Sequence, residues 1–147
     1  MKGFDARKRS VVALAIILVA ATVYYFFVAQ GSPSMRFSKE DGMFAFFGPK
    51  NTSAQFTFDD LTRLELYDGE NPDWGEAVDG GEVLGGNRWG TWRSESLGEY
   101  RAFVSTRIHA CIIAGDGEKT AIFNTSNRET TRSLYEQMVA FKNGELN

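Results

Sequence analysis

The run Val11 to Ala29, VVALAIILVAATVYYFFVA, constrains this chain most. It holds 19 residues without a charge, and Thr22 is its one small polar interruption. At ~1.5 Å per residue a helix of this length extends about 28 Å, close to the ~30 Å hydrocarbon thickness of a bilayer. A helix buried in a soluble core normally keeps a polar stripe, and this run has none. Tyr24, Tyr25, Phe26 and Phe27 gather at its C-terminal end, where aromatic rings favour the membrane interface. The run is therefore expected to enter the lipid bilayer as a single transmembrane helix over residues 11–29. Lys2, Arg7, Lys8 and Arg9 precede it, and only Arg36 and Lys39 follow closely. That bias places a basic N-terminus (1–10) in the cytoplasm and the rest outside the cell membrane. A cleaved signal peptide fits less well, because the apolar run is too long and Phe27-Val28-Ala29 has Phe where a small residue is wanted.

Residues 30–42, opening with QGSPS, read as a linker, and residues 43–147 as one domain. The chain has 147 residues, and the part beyond Ala29 carries 12 Lys+Arg against 18 Asp+Glu. A net charge of −6 repels nucleic acid and anionic lipid. Cys111 is the only cysteine, so no intrachain disulfide forms; within HACIIA it reads as a small buried apolar residue.

Past the linker the hydrophobic period is mostly two. MFAFF (43–47) and AQFTF (54–58) read as strands around the breaker-rich GPKNTS. Asp59-Asp60-Leu61 reads as a half-turn before LTRLELY. EYRAFVST (99–106), RIHACIIA (107–114) and KTAIF (119–123) continue the pattern, the last two joined by an Asp-Gly hairpin signal. At the end the period changes. Ser126 with Glu129 makes a capping box, Leu134, Met138 and Phe141 form one apolar stripe, and Gly144 sits at the C-cap. This predicts an amphipathic helix of about 17 residues. The fold class is mainly β with one C-terminal α-helix.

Residues 80–93, GGEVLGGNRWGTWR, carry the most unusual chemistry. Gly81 and Gly86 have phosphate-loop spacing, but Asn87-Arg88 replaces the Lys-Ser/Thr pair and no helix follows. Five glycines argue for an irregular connection that displays Arg88, Trp89, Trp92 and Arg93, residue types enriched at the centres of interfaces. These four are the candidate partner-binding loop. The preceding segment 68–82 holds six acids and no base, and its spacing departs from an EF-hand at Pro72. A solvated acidic loop is the expectation, with no metal and no cofactor. His109, the single histidine, falls in an expected strand, and no catalytic triad or His/Cys metal pair can be assembled. No catalytic residue is assigned.

Strands, then a glycine-rich excursion, then GEYRAFVST, IIAGDGEKTAIFN and a terminal helix: this order resembles the bacterial pleckstrin-homology-like domain family over about residues 43–142. The segments that carry the likeness are Phe58-Asp59-Asp60-Leu61-Thr62-Arg63-Leu64-Glu65-Leu66 and Leu97-Gly98-Glu99-Tyr100. The resemblance implies a bent β-barrel or sandwich of about seven antiparallel strands, capped at one end by the helix. Phosphoinositide-binding pleckstrin domains cluster basic residues on the first hairpin; here 43–58 offers Lys50 alone, so no phosphoinositide headgroup is expected. The functional expectation is a membrane-anchored, non-enzymatic module that binds a protein or peptide. The alternative is a small-ligand or cell-envelope-glycan binder that stacks on Trp74, Trp89 and Trp92.

Overall fold

The computed structural model describes residues 3–24, 33–49 and 51–145. The chain divides into two compact units, Met1–Gly31 and Ser32–Asn147. In the first, Gly3–Tyr24 forms helix α1, and the side chains from Ser10 to Val23 are exposed on every side. Among the described residues no helix is long and apolar enough to cross a membrane. Residues 25–29 of the expected span, with Tyr25, Phe26 and Phe27, lie outside the described residues, as does the side chain of Tyr24.

The second unit opens with a three-stranded antiparallel sheet of β1 (Ser34–Ser38), β2 (Met43–Phe47) and β3 (Ser53–Thr57), in that order. Strand β1 falls within the expected linker, which is a correction: Met35 packs on the core and Phe37 meets Phe58 and Phe141 edge-on. In β2 and β3 the alternation is as the sequence implies, with Phe44, Phe46, Ala54 and Phe56 buried.

The other strands are β4 (Arg63–Asp68), β5 (Glu76–Ala77), β6 (Glu82–Leu84), β7 (Asn87–Ser94), β8 (Gly98–Ser105), β9 (Ala110–Gly115) and β10 (Thr120–Phe123). They build a seven-stranded sheet in the order β4-β9-β10-β8-β7-β5, with β6 also on β7. The expectation of about seven antiparallel strands is thus corrected to two sheets of three and seven strands that do not close into a barrel. One pair, β8 with β10, is parallel.

Asn124 explains that pair. Strand β10 inserts between β8 and β9, so the connection 106–109 must bridge a gap two strands wide. Asn124 follows β10 at that gap and is fully buried. Its Nδ2 donates to the carbonyls of Ser105 (2.8 Å) and Ala110 (3.1 Å), and its Oδ1 accepts from the Ser105 N–H at 2.9 Å. The side chain satisfies main-chain groups at the end of β8 and the start of β9 that no neighbouring strand reaches. His109 consequently lies in this exposed turn, not in a strand as the periodicity suggests.

The large sheet is buried on both faces. One face packs on the small sheet through Phe44, Phe46, Phe56, Trp89, Phe103 and Phe123, with Phe46 and Phe123 stacked at 4.5 Å. The other face carries Trp92, Tyr100, Val104, Cys111, Ile113 and Ile122, with Tyr67 and Trp74 at its margin. Strand β9, ACIIAG, is buried at every position, which is why its sequence is a continuous apolar run without alternation.

Helix α2 (Arg128–Lys142) lies against β4 and β9. Its N-cap is Asn127, one residue beyond the expected Ser126: the Asn127 Oδ1 accepts from the Thr130 N–H at 2.9 Å. Met138 is buried, and Leu134 and Phe141 pack on the same cluster. Gly144 takes φ +74° just past the end, the left-handed position that favours glycine. Asp68 at the end of β4 pairs with both Arg128 and Arg132.

Candidate functional site

The glycine run is a hairpin, not an irregular loop. Leu84 pairs with Asn87 across Gly85 and Gly86, whose φ values of +57° and +85° make the two-residue turn that right-twisted strands prefer. Strand β7 then runs eight residues, pairing with β8 on one side and with β6 and then β5 on the other. Between β5 and β6 the chain bulges at Asp79–Gly81, and the two backbones nearly touch. A Cβ on Gly90 would lie 2.0 Å from the Gly80 carbonyl oxygen. Glycine there permits close approach; it does not prevent a strand.

This corrects the expected display of side chains. Successive residues of β7 point to opposite faces, and both faces of this sheet are covered, so a tryptophan on either is core. Trp89 is 3% exposed and packs with Phe103; Trp92 is 5% exposed and packs with Tyr100 on the opposite face. The Trp92 Nε1–H donates to the Trp89 carbonyl at 2.8 Å. Arg93 points outward and pairs with Glu99 at 2.9 Å, both ends more than half exposed. Of the four expected site residues, Arg88 and Trp92 come together, Trp89 goes to the far face and Arg93 goes to solvent. The tryptophan faces that a stacked sugar would need are therefore largely occupied.

What assembles instead is a stack. The Arg88 guanidinium lies over the Trp92 ring at 4.4 Å and over the Trp74 ring at 5.4 Å. Its Nε and one terminal nitrogen are buried without a hydrogen-bond acceptor. Trp74 comes from the acidic segment, which folds back over this face as a flap. The flap is tied down by the Tyr100 hydroxyl donating to the Trp74 carbonyl at 2.7 Å and by Asn71 Nδ2 donating to the Thr106 carbonyl at 3.3 Å. Burial pushes the Tyr100 phenol well above its ordinary range, keeping it a donor at all physiological pH. Gly75 has φ +65°, and a Cβ there would meet the Arg93 carbonyl oxygen at 1.9 Å, so the flap seats directly on β7. Neither Tyr100 nor Asn71 could be nominated from sequence. The signal for the flap was its length and its single tryptophan.

Beside Trp74 opens a cleft of about 430 Å³ lined by Asp73, Gly75, Glu76, Arg93, Ser94 and Glu95. Three carboxylates and one guanidinium set its potential, which favours a cationic group. Among the described residues no three His, Cys, Asp or Glu side chains converge on a metal position. The Cys111 thiol is fully buried and pushed up to about 12 by that burial, so it is no nucleophile. No family model, curated protein or solved structure matches the chain.

Proposed function

We propose that this chain is a non-enzymatic, pleckstrin-homology-like interaction module held at the cell membrane by its N-terminal helix, with the β-domain outside. It binds a protein or peptide partner on the face where the acidic flap meets β7. One observation carries the reading: where the flap meets β7, an acidic cleft lined by Asp73, Glu76 and Glu95 with Arg93 opens next to the partly exposed Trp74. Aromatic and arginine anchors at a rim of fixed charge are the usual composition of a recognition surface. For the anchor, support comes from the charge-free run 11–29 and from α1, whose valines, leucines and isoleucines are exposed without a polar stripe.

A photocrosslinking residue in place of exposed Arg93, in the full-length chain in its native membrane, tests the reading. Discrete adducts at position 93 and none at Glu136, an exposed position on α2, are the expected result. Adducts at Glu136 alone would refute the assignment of the face. Protease added to intact spheroplasts should digest the domain and spare an N-terminal tag; protection of the domain would refute the topology.

A further inference from the structure

The β5–β6 strand is the last of the large sheet on its side, and Glu76–Gly80, Glu82 and Val83 along it are exposed. We infer that this edge is the docking line for the partner, which adds to it as an extended, basic segment; the inference rests on the partner-binding reading above. Three features of the edge support it.

Backbone groups are available. In an antiparallel ladder bonded and unbonded positions alternate. The Val78 N–H donates to the Thr91 carbonyl at 2.9 Å, so the neighbouring Ala77 turns its N–H and C=O away from β7. Counting back from the Gly85-Gly86 turn, where Leu84 faces Asn87, the same alternation turns the Val83 backbone outward. Apolar side chains are available too. Outside α1, the large hydrophobic residues exposed among the described residues are Phe37, Val78 and Val83, at 39%, 40% and 56%. Two of the three stand on this edge.

Charge selects the occupant. Glu76, Asp79 and Glu82 punctuate the strand, Asp73 and Glu95 stand in the adjoining cleft, and no Lys or Arg occurs between Arg63 and Arg88. Exposed edges are ordinarily guarded by charge and by bulges against pairing with a second copy. Two copies of this edge would place acids against acids, so self-pairing is opposed. A strand alternating basic and apolar residues meets the reverse situation. Glu76 lies across from Arg93 and Val83 across from Arg88, on opposite faces of the sheet. The bases of such a strand therefore face Glu76, its apolar groups cover Val83 on the other face, and its main chain bonds Ala77 and Val83. The cleft at the β5 end then receives one of its cationic side chains.

The test uses the full-length chain in detergent micelles and a labelled peptide of about ten alternating Lys and Val residues, long enough to follow the edge at ~3.3 Å per residue. Anisotropy should show binding at least ~10-fold tighter than for the Glu/Val counterpart, weakening as salt rises. Exchange of the Ala77 and Val83 amides should slow on binding. Val83→Pro removes an outward donor without breaking a bond to β7, and should abolish binding with the melting temperature kept. Glu76→Lys with Asp79→Lys should weaken binding about tenfold or more without touching the backbone. Equal affinity for the two peptides, or binding that survives both variants, would overturn the docking line. If the Arg93 crosslinks form in the native membrane while the peptide fails to bind, this inference falls and the partner reading stands. If the peptide binds and no crosslink forms, the edge stands and the partner reading falls.

Discussion

Trp89 and Arg93 lie four residues apart in one strand and face entirely different physics. Trp89 is wedged between the sheets against Phe103, and Gly48 crosses so close that a Cβ there would lie 3.1 Å from the indole. Trp89→Ala should cost about 3–5 kcal/mol, which lowers the melting temperature by roughly 12 °C or more at about 4 °C per kcal/mol for a domain near this size. Arg93→Ala removes only an exposed pair with Glu99, and should change stability by less than ~1 kcal/mol. Thermal unfolding of the two variants checks both. At Asp68 the sign of a pH effect follows from its partners. The hydrogen bond from Arg128, with help from Arg132, holds the carboxyl below its ordinary value in the folded chain. A depressed carboxylate contributes stability at pH above its unfolded value of about 4, and that contribution fades as pH falls through the lower folded value. Asp68→Asn should therefore be less stable than the parent at pH 7, and the gap should narrow in denaturant titrations taken below pH ~4.

Elements were legible in proportion to how much their pattern owed to local sequence. Strands β2 and β3 alternate cleanly, β9–β10 carries an Asp-Gly turn in which Asp116 Oδ1 accepts from the Glu118 and Lys119 N–H groups, and α2 has one stripe and a terminal glycine. Each was readable. Strand β1 was not, because SMRFS follows a breaker-rich stretch and shows only two apolar residues. Strand β7 was misread because its glycines serve a neighbour: Gly90 is small so that Gly80 can approach, and that reason is tertiary. The parallel insertion of β10 depends on one asparagine whose partners lie 14 and 19 residues away, beyond any local pattern. Helix α2 belongs to the core through Met138, Leu134 and Phe141. Truncation after Asn124 uncovers that cluster, with losses of about 2–5 kcal/mol for each large residue against a total of about 5–15 kcal/mol. The truncated chain should be insoluble or unfolded by circular dichroism; retention of the parental melting temperature would contradict the packing.

At the scale of the whole molecule, the residues that looked most like a binding loop are mostly core, and the segment that looked merely solvated closes over them. On the proposed reading, recognition falls to what remains outward: the acidic cleft, the edge beside it and the partly exposed Trp74. The decisive measurement is crosslinking from position 93, in cells that make the full-length chain, with Asp73→Lys, Glu76→Lys and Glu95→Lys introduced together. All three side chains are exposed, so the melting temperature should stay within a few degrees, about the effect of ±0.5 kcal/mol per surface change. The adducts seen with the parent cleft should disappear. Adducts that persist at the parental yield, from a domain that still melts normally, would contradict the proposed reading.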